Sequence, residues 1–286
     1  MINFFLKYKS QKFFSEKISK NEVLNSRKVL FSIFTRYGDT IINLVVIKEF
    51  IIRYPDKEYL ILIPPQMTPY VENLLPNISF FALNKRNFLH MYKVNKILKN
   101  WAPDIGFNPW SNGLDSCYFI SYAKKYFCYR NFNFQLPINH YEVVRKYLGL
   151  PTTICELIYK PLKKSYRKVL ICPDSTDVKR SLKINEVEII LKKVIEKFNP
   201  LVTIAAGDGQ KKFGYDFVSY FEFEKSCESS KNFLELIHKT DLVISVDSAP
   251  LHIALALEKD TYCIFKTTNA NNVINNNSNL ISYDAF

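Results

Sequence analysis

From Lys28 to Phe265, short apolar runs that end at turns alternate with segments whose apolar residues recur at helical spacing. Strands that alternate with helices imply a parallel sheet joined by crossover helices and covered on both faces. Lys28–Phe34 reads as a buried strand, Thr40–Tyr54 as a helix, and Tyr59–Ile63 as a second strand closing on Pro64-Pro65. A short helix near Thr68–Leu75, a strand near Ile78–Leu83, a helix near Leu89–Trp101, a strand at Asp104–Phe107 and a helix at Leu114–Lys124 follow. Gly149-Leu150-Pro151-Thr152-Thr153 and a basic connector up to Lys168 break the rhythm, which then restarts. Val169–Cys172 is the next strand, and Asn185 with Glu188 makes a capping-box-like start to a helix reaching about Phe198. A strand at Leu201–Ala206, a helix at Lys231–Lys239, a strand from Asp241 that turns into a helix, and a last strand at Thr261–Phe265 complete the series. The expected fold is α/β, with two Rossmann-like parallel-sheet domains at residues 28–150 and 151–286 and a cleft between them. A basic aromatic extension, residues 1–27, precedes them, and an Asn-rich tail, Thr267–Asn279, is expected to be irregular.

Composition bounds the partners. The 286 residues are 48% hydrophobic and 15% aromatic, enough for packed cores, and no run approaches the ~18 apolar residues of a membrane span. A formal charge of +12 points to an anionic partner. Lys and Arg are spread along the chain without a dense run or a nucleic-acid motif, which favours a membrane surface or small anions over nucleic acid. In the extension, Phe4, Phe5, Leu6, Phe13, Phe14 and Ile18 alternate with Lys7, Lys9, Lys12, Lys17 and Lys20. That pattern fits an amphipathic helix on an anionic membrane, and equally a helix packed on the first domain or a loose leader. It has too short an apolar core for a signal peptide. The six cysteines form no C-x-x-C pair and have no His at zinc spacing, so buried free thiols in a reducing cytosol are expected, with no metal site.

Chemistry is expected where strands end. In Val246-Asp247-Ser248-Ala249-Pro250-Leu251-His252, Asp247 or Ser248 can cap the helix, and Pro250 is tolerated in its first turn. The N–H groups and dipole of that first turn suit a phosphate, and His252 could face the same space. An ordinary βα junction with a good cap fits these residues as well. In Thr35-Arg36-Tyr37-Gly38-Asp39, Gly38 lets the chain approach a ligand, while Asp39 is either an N-cap or a displayed carboxylate. After Cys172, Lys179 and Arg180 could neutralise a diphosphate, or simply be solvated. Gly207 and Gly209 bring backbone close to a nucleotide or only serve a turn. Tyr126–Phe134 interleaves aromatics with Arg130, as a sugar- or base-stacking surface or as a buried strand with an exposed loop.

Taken together, these stretches resemble the bacterial heptosyltransferases, glycosyltransferase family nine, over roughly residues 28 to 265. Val246–Ala254 followed by Tyr262-Cys263-Ile264-Phe265 is similar to the family's nucleotide-sugar site, and Gly38-Asp39 to the turn that carries its catalytic base. Ser175 and Lys179 match its second-domain loop. Ala206-Gly207 partly matches a Gly-Gly turn, and Lys266-Thr267-Thr268 stands in place of Gly-Pro-Thr. The resemblance implies a GT-B arrangement and an inverting transfer without metal or cofactor beyond the nucleotide-sugar donor, an ADP-heptose. Asp39 would take the acceptor proton and Lys179 would stabilise the departing diphosphate. Ser175, Arg180, Gly207, Asp247, Ser248, Ala249 and His252 would bind the donor, with Arg36 and Gly38 on the acceptor side. The implied acceptor is a lipopolysaccharide core or related surface glycolipid or glycan, and the implied location is the cytoplasm, peripheral on the inner membrane. An idle scaffold in envelope polysaccharide assembly is the alternative. Nucleic acid is not an expected partner; were it one, affinity would fall steeply with salt.

Overall fold

The computed structural model describes residues 20–111, 113–132, 139–152, 159–206, 213–223, 226–275 and 280–281. The chain forms two compact units, Met1–Thr153 and Ile154–Phe286.

In the first unit, Val29, Leu30 and Phe31 have no exposed surface, the mark of a central parallel strand buried on both faces. The order is α1 (Lys20–Asn25), β1 (Lys28–Ser32), α2 (Tyr37–Arg53), β2 (Glu58–Ile63), a 3-10 turn (Pro65–Met67), α3 (Thr68–Leu74), β3 (Ser79–Ala82) and α4 (Phe88–Trp101). It continues with β4 (Ile105–Phe107), α5 (Leu114–Ile120), β5 (Lys125–Phe127), a 3-10 turn (Tyr129–Asn131) and α6 (His140–Tyr147). The sheet is parallel in the order β3-β2-β1-β4-β5. On one face Leu30, Leu60 and Leu62 meet Met91, Val94 and Leu98 of α4. Phe31 stacks near Phe107 at 5.5 Å between ring centres and meets Phe50 edge-on at 5.7 Å. Gly106 lets α5 close onto β4, because a Cβ there would lie 2.8 Å from the Ile120 carbonyl.

The second unit runs β6 (Tyr159–Lys160), β7 (Lys168–Cys172), α7 (Ile184–Phe198), β8 (Leu201–Ala206), β9 (Val218–Glu222), α8 (Cys227–His238) and β10 (Leu242–Val246). Then come α9 (Ala249–Ala256), β11 (Asp260–Ile264), a 3-10 turn (Ala270–Asn272) and β12 (Leu280–Ile281). The parallel sheet is ordered β6-β12-β11-β10-β7-β8-β9. Within it β9-β8-β7-β10-β11 repeats the first sheet's order of third, second, first, fourth and fifth strand. In both units the first and fourth strands are neighbours, and loops leaving their carboxyl ends diverge there, the usual ligand position in open α/β sheets.

Each unit also fastens the opposite edge alike. The Asp104 carboxylate accepts the N–H groups of Arg27 and Lys28 at 2.9 and 3.0 Å and the Lys124 ammonium at 2.7 Å. In the second unit Asp241 accepts those of Arg167 and Lys168 at the same two distances.

Several expectations are corrected. Helix α2 begins at Tyr37, so Arg36 holds the N-cap position and Asp39 lies inside the first turn. Helix α7 starts at Ile184 and Glu186, not Glu188, closes its box by accepting the Lys183 N–H at 2.6 Å. Ser226 Oγ accepts from Ser229 N, which starts α8 four residues before the expected Lys231. Helix α5 stops at Ile120, leaving Lys125 to open β5. Cys117 and Cys128 are joined in a disulfide because the α5–β5 turn brings their Cα atoms within 5.9 Å. Of the other described cysteines, Cys172 and Cys263 are buried thiols and Cys227 is exposed. Part of the tail is packed rather than irregular, with Val273 and Ile274 buried against Leu251, Leu255 and Leu280. Of Tyr126–Phe134, only Tyr126 and Phe127 are in strand β5, the turn after it is buried at Cys128 and Tyr129 rather than exposed, and Asn133 and Phe134 lie outside the described residues. Residues 1–19 of the extension lie outside the described residues. Among those described, no helix is long and apolar enough to cross a membrane.

Candidate functional site

In the second unit β7 and β10 lie in register, Cys172 beside Ser245, and the chain leaves both strands at this edge. After β7 it folds back on itself, with Leu182 N donating to Pro173 O at 2.9 Å and Arg180 N to Asp177 O at 2.9 Å. Ser181 Oγ accepts from Ser175 N at 2.9 Å and donates to Ser175 O at 3.2 Å, which sets the loop's width. After β10 come Asp247, extended Ser248 and the start of α9.

Arg180 joins the two exits, its Nη1 donating to Asp247 Oδ2 at 2.9 Å. Asp247 is 4% exposed, and its other carboxylate oxygen lies 3.8 Å from His252 Nε2. Ser175 Oγ donates to the Asp247 carbonyl at 3.4 Å. Arg180 Nε is buried without a hydrogen-bond partner, 3.7 Å from Asp177. Of the residues expected to bind a donor, Ser175, Arg180, Asp247 and His252 are thus brought together. Lys179 is on the same loop with an exposed side chain, and its N–H donates to Asp177 Oδ1 at 3.1 Å. Gly207 lies outside the described residues.

The expected side-chain cap on α9 does not form. Asp247's carboxylate faces Arg180 and His252 instead, and Ser248 Oγ lies 3.5 Å from Ser245 Oγ. Leu251 N returns to Ser248 O at 3.1 Å, and Pro250 has no N–H. The N–H groups of Ser248 and Ala249 therefore precede the helix's own ladder. Helix dipole, these N–H groups and a tethered guanidinium together suit an anion.

The pattern did not mark what steadies this loop. Lys266, just past β11, donates to Ser181 O at 3.1 Å and to Glu186 Oε2 at 2.9 Å. The Lys183 N–H, then the Lys266 ammonium, hold the Glu186 carboxyl below its ordinary range. The only sequence signal was that Lys266 departs from the Gly-Pro-Thr expected there. Burial pushes the Cys172 and Cys263 thiols up, so both are inert neighbours of the site.

In the first unit Asp39 is half-buried in the first turn of α2, past the end of β1. The approach is pinned by Thr40 Oγ1, which donates to Arg36 O at 2.9 Å and lies 2.8 Å from Thr35 Oγ1. Arg36 is exposed, and Gly38 is inside the helical turn rather than ahead of it. Burial first, then the Asp39 charge, raises the Tyr129 phenol above its ordinary range, so Tyr129 and Asp39 are electrostatic neighbours. Beyond β4, buried Asn108 accepts Tyr129 N at 2.8 Å and donates to Ser111 O at 3.0 Å. Trp110 is held at a positive φ of 53°, its ring 4.4 Å from that of His140 between centres. A bulky side chain at such a φ is strained backbone. Neither Asn108 nor Trp110 was singled out from the sequence, because no local pattern announces a buried amide or a strained turn.

No curated protein matches the sequence. Residues 230–283, from α8 to beyond β12, match the model of glycosyltransferase family 9 (heptosyltransferase). The fold is similar to that of the E. coli heptosyltransferase WaaC with ADP, at a TM-score of 0.63 and 10% identity over 90% of this chain and 93% of that one. It is similar to E. coli ADP-heptose lipopolysaccharide heptosyltransferase II at 0.61 and 13%, over 82% and 84% of the two chains. A glycosyl transferase family 9 structure from Veillonella parvula gives 0.62 and 12%, over 89% and 85%. The chain thus has the two-unit GT-B fold of the heptosyltransferases, and its segment 230–283 matches the glycosyltransferase family 9 model.

Proposed function

We propose that this chain is an inverting glycosyltransferase that moves a sugar from a nucleotide diphosphate, heptose from ADP-heptose, to a lipopolysaccharide core or related surface glycan. The observation that carries it is Arg180 tethered by buried Asp247 beside the start of α9. Supporting it are the family 9 match over that segment and the ADP named for WaaC. The diphosphate would take the N–H groups of Ser248 and Ala249 and the remaining donors of Arg180. Ser175, His252 and the backbone at Gly207 would complete the donor contacts. Lys179, exposed on the same loop, would meet the charge that grows on the leaving diphosphate. Asp39 would take the proton of the attacking hydroxyl, with Arg36 and Gly38 beside the acceptor. Transfer needs no metal in this scheme, since cations and helix N–H groups do the neutralising. The reaction belongs in the cytoplasm, where nucleotide sugars are made, against the inner membrane that holds the acceptor.

The test is thermal unfolding against ADP, UDP and GDP, because a ligand at a hundred times its Kd adds about 2.7 kcal/mol. A rise with ADP that Arg180→Ala abolishes is expected, as is loss of transfer in Asp39→Ala with the ADP response kept. No response to any nucleotide, with function indifferent to Asp39 and Lys179, would replace the enzyme with an idle scaffold.

A further inference from the structure

Helix α4 buries Met91, Val94 and Leu98 against the sheet and turns Phe88, Leu89 and Tyr92 to water, at 71%, 68% and 63% exposure. Tyr92 is four residues past Phe88 and three past Leu89, so the three side chains form one patch on the helix's first turns. They are held there firmly. Asn84 Oδ1 accepts the Arg86 N–H at 3.1 Å, Asn87 N donates to Asn84 O at 3.0 Å, and Asn87 Oδ1 accepts Leu89 N at 3.0 Å.

Along the stretch that carries the patch the charge has one sign. Residues 73–103 hold Lys85, Arg86, Lys93, Lys96 and Lys99 and no Asp or Glu. Lys93, Lys96 and Lys99 are exposed along the same helix, and Arg86 leads into it. Lys85 is engaged by Asp115 and lies 4.8 Å over the Phe34 ring. Large apolar side chains on an anchored helix start, set among cations, match the layering of an anionic bilayer, with acyl boundary inside and phosphates outside. A second copy would bring the same cations against each other. A nucleic acid would meet aliphatic Leu89 where a base needs a stacking face.

We propose that the first turns and exposed face of α4 dock the first unit on an anionic phospholipid surface. Phe88, Leu89 and Tyr92 enter the interface while Arg86, Lys93, Lys96 and Lys99 lie on headgroup phosphates. Helix α4 starts at the carboxyl edge of the sheet, the edge that also carries Asp39, and Lys85 over Phe34 links the two places. Docking would therefore present Asp39 to a lipid-anchored hydroxyl. That last step rests on the transfer reading; the lipid surface does not.

The experiment is flotation of the full chain with phosphatidylcholine vesicles, with and without phosphatidylglycerol, and no donor present, so that failure of transfer leaves it untouched. Wild type should float only with phosphatidylglycerol and be released by salt. Lys93→Glu with Lys96→Glu and Lys99→Glu should lower partitioning about a hundredfold. Phe88→Ser with Leu89→Ser and Tyr92→Ser should lose flotation with unfolding unchanged, since all three are exposed. Flotation unchanged in both variants but lost when Lys7, Lys9, Lys12 and Lys17 become Ser would overturn the proposal. So would release by a single-stranded oligonucleotide that binds α4 more tightly than vesicles, or a vesicle-independent dimer broken by the serine variant.

Discussion

Arg180 sits in a half-exposed loop, yet its partner Asp247 is buried, so the two ends of this pair respond differently to loss of the other. Arg180→Ala strands a buried carboxylate, whereas Asp247→Asn leaves a guanidinium that can still reach water. With Arg180 partly exposed, the first should cost about 1–3 kcal/mol of stability and the second less, read by urea unfolding. Both should lose the ADP response, because Asp247 aims the guanidinium. Lys179→Ala should change stability by no more than about 0.5 kcal/mol, its side chain being in solvent. At this scale the sequence was informative where partners are near in the chain. Asp247 and His252 stand a helical turn or so apart, and their spacing was readable. That Asp247 would hold Arg180, 67 residues away, was not, and neither was the brace from Lys266 to Ser181.

Most elements were legible from hydrophobic rhythm, but the starts of α2, α7 and α8 were not. Helix α2 begins before Thr40 because the first turn of a helix needs no apolar residue, so the Tyr37-Gly38-Asp39 turn carries no periodic signal. Asp39 thereby loses the N-cap role and keeps that of a carboxylate on the first turn. Strand β9 and helix α6 were missed, the one an edge strand of mixed polarity and the other a short segment opening on His140. Close packing is the other property invisible in a pattern. Gly106 reads as an ordinary strand glycine, yet the carbonyl it faces is backbone and cannot swing away. Gly106→Ala should therefore push α5 off β4 and cost about 1–3 kcal/mol, measured by denaturant unfolding. The Asn108 network after β4 should loosen with it, seen as faster hydrogen exchange at Tyr129 N.

Across the whole molecule the net charge of +12 announced an anionic partner without saying where. The structure sets one cation, Arg180, beside the start of α9 and lines three others, Lys93, Lys96 and Lys99, along the exposed face of α4. The repeated strand order was legible only as rhythm, since sequence periodicity does not reveal which strands pair. The carboxylate at the amino edge gives a pH signature. The Lys124 ammonium and the Lys28 and Arg27 N–H groups lower the Asp104 carboxyl to about 2 from an ordinary 3.8. A depressed acid favours the folded state when ionised, so its contribution is present above 3.8 and is lost as pH falls toward 2. Wild type should thus exceed Asp104→Asn in stability at neutral pH, and the gap should close across that window in urea unfolding.

The same carboxylate has a consequence for synthesis. Asp104 reaches back 77 residues to Arg27, and Asp241 reaches back 74 to Arg167. A nascent chain can pair β1 with β2 early, but the other flank of β1 waits until the fourth strand has left the ribosome. The wait is then repeated for β7. Each unit thus leaves one flank of a buried inner strand unpaired for about half of its own translation, and that interval is when a chaperone would be needed.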